Sequence, residues 1–272
     1  MLKQRLLVGI IGGIFAIIVL CLGAEILSCA LGVVSVIGLS EIYNATGILK
    51  KQNKLCLASY AFSFLSFIII AFTETPGMVL ALLVFVYGAG LLIYGVFKHG
   101  ETDFSSIGNL FFQTAYVSFL FAHIVLVRKL PQGEFLIWII FVTAWLSDTV
   151  AFAIGKRFGK NKLLPEISPK KTVEGALGGL AGSALFNLIF GIVCSVAFKL
   201  NVNYLSLFFV SIVAGVMSQV GDLAASSVKR EYGIKDFSNL LPGHGGILDR
   251  FDSVLFVAPT VYYFVVIFSI FA

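Results

Sequence analysis

Apolar residues run along this chain in long blocks, broken by short polar punctuation rather than alternating with polar positions at the period of a strand. A membrane-crossing helix needs about 20 mainly apolar residues. Reading the blocks against that length predicts about nine spans, near 6–23, 25–49, 56–73, 77–97, 105–127, 134–155, 174–198, 204–226 and 252–271. The second block contains Glu25 and Glu41, and the fifth contains Asn109, Gln113 and His123. The expected fold is all-α and polytopic, an integral membrane protein without a soluble domain.

Charge sharpens that picture. Of the 19 Lys and Arg residues, 16 fall on one side when the segments between spans are assigned alternately. Lys and Arg gather on the cytoplasmic side of membranes, so the N-terminus, with Lys3 and Arg5, is expected in the cytoplasm. Arg128, Lys129 and Lys199 alone are left outside. The two longest polar segments, around 156–172 and 227–251, then face the cytoplasm, and the membrane is expected to be a bacterial inner membrane.

Composition agrees: 59% of the 272 residues are hydrophobic and 12% charged, with a mean hydropathy of +1.01. A net charge of +5 on so little polar surface reads as topology and contact with anionic lipid, with no nucleic-acid partner. Cys21, Cys29, Cys56 and Cys194 show neither metal-ligand spacing nor a pairing pattern. The cationic start followed by an apolar run has the outline of a signal peptide. With eight further spans behind it, it is read as an uncleaved first helix.

Polar residues divide the chain unevenly. Residues 1–127 have short connections and few buried charges, as scaffold or lipid-facing helices do, whereas polar residues cluster and recur in 128–272. Gly175, Gly178, Gly179, Gly182 and Ser183 place small residues four apart on the seventh span. That spacing allows close helix approach, either within one chain or between two copies in a homodimer.

Three constellations carry candidate chemistry. Asp148 lies in the last third of the sixth span, where a lipid-facing carboxylate costs about 2.5–3.5 kcal/mol on insertion scales, so it is expected to face a polar cavity or a partner. After Gly155 and Gly159 comes Ser168-Pro169-Lys170-Lys171-Thr172, which is expected at the start of a helix, where backbone N–H groups attract anions. Lysine binds phosphate as a compact charge. Third, Ser218, Asp222 and Ser226 recur at every fourth position, one stripe on a helix, and Lys229 and Arg230 follow at its membrane exit. Beyond them, Gly243, Gly245 and Gly246 surround His244, and Asp249 and Asp252 stand three apart beside Arg250. Carboxylates completed by water and phosphate oxygens are typical magnesium ligands.

From Ser226-Ser227-Val228-Lys229-Arg230 through Lys235-Asp236 to Leu241-Pro242-Gly243-His244-Gly245-Gly246-Ile247-Leu248-Asp249-Arg250-Phe251-Asp252, the sequence resembles the phosphatidate cytidylyltransferase (CDP-diacylglycerol synthase) family. Asp148-Thr149, the turn from Gly155 to Gly159 and Ser168 to Thr172 are similar to that family's pattern too. In the first half only the run of spans and a Glu41-x-Tyr43 pair do so. The resemblance implies transfer of a cytidylyl group from CTP to phosphatidic acid, giving CDP-diacylglycerol and pyrophosphate. It implies a requirement for Mg²⁺ and a metal pair assisted by K⁺.

On this reading Asp222 and Asp249 are expected as metal ligands, with Asp148 a ligand or a supporting carboxylate. Lys170, Lys171, Lys229, Arg230 and Arg250, with Ser168, Thr172 and Ser226, are expected at the phosphates, and His244 as a donor to phosphate or to departing pyrophosphate. Two other functions fit parts of the sequence: a CTP-dependent membrane lipid kinase, and an ion-coupled transporter using Asp148 and Asp222. A transporter has no use for the glycine-rich His244 loop.

Overall fold

A computed structural model describes the backbone of residues 2–271 and the side chains of residue 9 and of residues 11–271. The side chains of Lys3 and Arg5, part of the charge asymmetry, lie outside the described residues. The order of elements is α1 Leu2–Cys21, α2 Ala24–Ala45, α3 Ile48–Lys51, α4 Asn53–Phe72, α5 Pro76–Phe97 and α6 Phe104–Thr114. A π-helical turn Ala115–Phe119 leads into α7 Leu120–Arg128. Then come α8 Gly133–Phe158, β1 Lys162–Leu164, β2 Ser168–Thr172, α9 Val173–Phe198, α10 Tyr204–Glu231 and α11 Leu248–Ile267.

The protein is all-α and polytopic. Among the described residues, eight helical segments are long and apolar enough to cross a membrane: α2, α4, α5, the continuous α6–α7 segment, α8, α9, α10 and α11. The ninth expected span corresponds to α1, whose described apolar part is Ile11–Cys21. Many large apolar side chains point outward, such as Phe85 (70% exposed) and Phe97 (83%). Such exposure is unfavourable in water and suits lipid.

The chain packs as two compact units. One comprises residues 1–126 with 236–250, the other residues 127–235 with 251–272. In the first, hydrogen-bonded hydroxyls link the helices. Ser35 of α2, Ser63 of α4 and Ser118 of the π-turn bond one another at 2.8–3.0 Å. Thr114 bonds the hydroxyls of Tyr43 at 2.6 Å and Tyr87 at 2.7 Å, and Tyr87 bonds Ser59 at 2.7 Å. Neutral groups paired in this way are buried at small cost.

In the second unit α8 and α9 run against each other along the glycine stripe. A Cβ on Gly179 would meet Ser147 O at 2.9 Å, and one on Gly175 would meet Ala151 O at 2.7 Å. The small residues therefore serve packing within the chain. Ser168 to Thr172 departs from expectation: it forms β2, antiparallel to β1, rather than the start of a helix. The pattern is too short and too polar to announce a strand, and Pro169 suits an edge. Only Thr172 acts at the helix, as the N-cap of α9, its hydroxyl accepting from Gly175 N at 3.1 Å.

Candidate active site

In the second unit, four elements bring charge together. α8 carries Asp148, β2 carries Lys171, α10 carries Asp222 and Lys229, and α11 carries Asp252. Lys171 Nζ lies 2.5 Å from Asp222 Oδ2, an ion pair in which each side chain is 25% exposed. Ser226 donates to Asp222 Oδ1 at 3.3 Å, as their spacing on α10 requires. Ser253 Oγ of α11 donates to Asp148 Oδ2 at 3.2 Å, and Ser253 N to Asp252 Oδ1 at 2.8 Å.

The carboxylates of Asp148, Asp222 and Asp252 are near enough to repel one another, with Lys171 attracting Asp148 and Lys229 attracting Asp252. Gly221 makes this convergence possible. A Cβ there would stand 2.6 Å from Asp252 O, so a side chain would push α11 away from α10 beside Asp222.

Three half-buried carboxylates against two lysines form a site whose electrostatics depend on cations. The donors are hard oxygens, the set that magnesium prefers. Among the described residues, no three His, Cys, Asp or Glu side chains close on one point. One or two of these carboxylates could hold an ion completed by other oxygens, as magnesium commonly is at phosphate sites.

In the first unit, the loop from Asp236 to Ile247 turns tightly. Leu241 N donates to Gly245 O at 2.9 Å, and His244 N to Leu241 O at 2.8 Å. Gly243 and Gly245 adopt φ of 76° and 83°, a region that favours glycine. Asp249 Oδ2 accepts from Phe237 N at 2.8 Å and Gly246 N at 2.9 Å, tying the loop to the first turn of α11. The His244 ring lies beside Gly9 of α1, and its Nδ1 is buried without a hydrogen-bond partner among the described residues.

The remaining residues expected at phosphates have varied settings. Lys229 is buried, whereas Lys170, Arg230 and Arg250 are exposed. Arg230 Nε donates to Ile167 O at 3.3 Å and Nη1 to Ile234 O at 3.1 Å, linking the end of α10 to the hairpin turn. Ser168 is half-buried in β2. Ser218, first of the α10 stripe, buries its hydroxyl without a partner among the described residues.

Two residues gain importance that the sequence alone did not give them. Asp252 joins the carboxylate cluster; its spacing from Asp249 was legible, but not which of the two would meet Asp222. Glu41, in sequence only a polar break and half of a pair with Tyr43, holds the loop through hydrogen bonds to Ser238, Ile247 and Leu248.

Residues 3–268 match the sequence profile of the Cytidylyltransferase family. A curated phosphatidate cytidylyltransferase from Bacillus subtilis (strain 168) is 35% identical over 98% of this chain and 99% of its own length. A protein of the same name from Staphylococcus haemolyticus (strain JCSC1435) is 35% identical over 95% of this chain and 96% of its own. The same name and coverage recur at 34% identity in Staphylococcus aureus (strain COL). With carboxylates of three membrane-spanning helices gathered beside Lys171 and Lys229 and this similarity running nearly from end to end, the chain belongs to the cytidylyltransferase family of nucleotidyltransferase enzymes.

Proposed function

We propose that the protein is a phosphatidate cytidylyltransferase, which joins CTP and phosphatidic acid to give CDP-diacylglycerol and pyrophosphate, with Mg²⁺ required and K⁺ as a second cation. The observation that carries the reading is the cluster of Asp148, Asp222 and Asp252, on helices that also have lipid-suited surfaces, with Lys171 of β2 and Lys229 of α10. A lipid phosphate and a nucleoside triphosphate are both polyanions, and such a site offers both metal ligands and phosphate-binding cations. Full-length relatives bearing the name of this activity point the same way.

A phosphate oxygen of phosphatidic acid attacks the α-phosphorus of CTP, a new P–O bond forms, and the bond from that phosphorus to the bridging oxygen breaks as pyrophosphate leaves. The lipid phosphate is already ionised at neutral pH, so no strong base is needed. The protein must align two anions and offset their repulsion. Asp222 and Asp249, with Asp148 as a supporting carboxylate, are the residues proposed as magnesium ligands, and the ion would supply positive charge to the phosphate oxygens. Two backbone N–H groups fix the direction of the Asp249 carboxylate, as outer hydrogen bonds do for metal-binding carboxylates.

Lys171 and Lys229 stabilise charge on the phosphoryl oxygens, with Lys170, Arg230 and Arg250 as further cations and Ser168, Thr172 and Ser226 as polar neighbours. His244 donates to phosphate or to departing pyrophosphate. The charge asymmetry of the loops supports a cytoplasmic N-terminus and a site at the cytoplasmic face; bacterial relatives fit a bacterial inner membrane, with lipid entering from the side. The glycine stripe is occupied by α8 within the chain, so a homodimer would use another surface.

The test uses purified protein with phosphatidic acid in mixed micelles and CTP labelled at either the α or the γ phosphate. The α label is expected in the lipid, with release of pyrophosphate that stops on chelation of Mg²⁺. Transfer of the γ label instead would make the protein a lipid kinase. Near-wild-type turnover in Asp249→Asn would remove that residue from the ligand set.

A further inference from the structure

We infer that Glu41 is a positioning residue that sets the backbone of the glycine-rich loop for cytidylyl transfer, an inference that rests on the function proposed above. Glu41 lies within α2 and is 5% exposed. A carboxylate in a membrane span is retained at a cost, and what it bonds shows what it is for. Its Oε1 accepts from Ser238 Oγ at 2.6 Å and from Ile247 N at 2.9 Å, and its Oε2 accepts from Leu248 N at 2.8 Å.

All three donors are uncharged, and all belong to one segment roughly 200 positions further along the chain. They lie at its two ends. Ser238 stands near the beginning, where its hydroxyl also accepts from Leu240 N at 3.2 Å. Ile247 and Leu248 stand where the segment enters α11, whose first N–H groups have no acceptor within the helix. Glu41 thus caps α11 from a different helix, with a charge of the sign that the helix start favours.

The glycines fit this brace. A Cβ on Gly246 would lie 2.6 Å from each carboxylate oxygen of Glu41, so Gly246 admits the carboxylate to the backbone. The same Gly246 donates its N–H to Asp249. Glu41 holds the loop from α2 while Asp249 holds it from within, and between those supports are His244 and the glycine turn. Without Glu41, three donors lose a charged acceptor and the loop is fixed from one side only.

Hydrogen–deuterium exchange on the full-length protein in nanodiscs without substrate, paired with steady-state kinetics normalised to folded protein, tests this. In Glu41→Ala, exchange is expected to rise at least about 10-fold within 238–248 and to stay unchanged in the other helices. Turnover is expected to fall on the order of 100-fold, the cost of lost alignment, with KM for CTP within about twofold, because an interaction realised in the transition state lowers kcat and kcat/KM together. Glu41→Gln keeps one acceptor oxygen and places an NH₂ group against one donor. It is expected to lose about 10-fold, on the scale of one charged hydrogen bond.

A loop that stays protected in both variants overturns the inference, as does a loosened loop with wild-type turnover. Exchange rising across all helices in both variants makes Glu41 a stabilising residue only and overturns it too. If the wild-type protein transfers no α label, the proposed function fails and the positioning role fails with it. Exchange confined to 238–248 would then still identify the brace.

Discussion

The two packing units handle buried polarity in opposite ways. In the helices of the first, the polar groups are mostly hydroxyls that satisfy one another: Ser35, Ser63 and Ser118 form one cluster, and Tyr43, Thr114, Tyr87 and Ser59 another. In the second, Asp148, Asp222 and Asp252 are gathered with Lys171 and Lys229. Paired hydroxyls lose little on burial, whereas like charges brought together within helices cost energy that local packing does not return. Neutral networks hold helices together; a cluster of carboxylates is a candidate place for chemistry. Glu41 and Asp249 are buried carboxylates of the first unit, and the hydrogen bonds of both lead to the glycine-rich loop.

On this contrast, substitutions in the charged cluster of the second unit reduce turnover more than stability, and those in the hydroxyl clusters do the reverse. Asp222→Asn should have the largest effect, on the order of 1000-fold in kcat, the upper range for removing one electrostatic contributor. Labelled-CTP turnover at matched folded protein measures it, and a loss under about 10-fold would place the chemistry elsewhere. Lys171→Met removes the cation nearest Asp222 and leaves that carboxylate against Asp148 and Asp252. Turnover should fall about 100-fold, while a lower thermal midpoint at unchanged kcat would make the ion pair structural.

Asp252→Asn sharpens the contrast within one helix. A fall of about 10-fold in turnover is expected, with a rise in the thermal midpoint as repulsion among the carboxylates is relieved. A drop in the midpoint would contradict the repulsion. Thr114→Val takes the shared hydroxyl from Tyr43 and Tyr87 in the first unit. It should destabilise by about 1–3 kcal/mol, read by thermal unfolding in detergent, and leave turnover per folded molecule unchanged. The smallest effect belongs to Asn203→Ala, which removes the side chain accepting from Ser206 N at the start of α10. About 1 kcal/mol of stability is expected to go, with no change in KM.

Much of the architecture is legible in the order of residues along the chain. Span boundaries come from blocks of apolar residues, and Ser226 bonds Asp222 because four positions along a helix are neighbours. The hairpin β1–β2 is not legible there, since five residues containing proline and two lysines carry no strand period. Asp249 and Asp252 look equivalent by spacing. The first accepts two loop N–H groups on one oxygen, and the second sits among carboxylates and beside Lys229. The difference arises from where the loop folds and where α11 begins.

By itself the sequence determined a membrane protein built of spanning helices, with Asp222, Ser226 and Lys229 ordered along one of them, because hydropathy and helical period are local properties that a single chain displays directly. The tertiary structure alone decided that Lys171 pairs with Asp222, that Asp252 joins Asp148 and Asp222 while Asp249 accepts from loop N–H groups, and that Glu41 reaches Ile247 and Leu248. Those contacts join residues far apart in the chain. Their geometry depends on how separate elements approach one another, helix to helix at Gly221 and loop to helix at Gly246, and no local period records that approach.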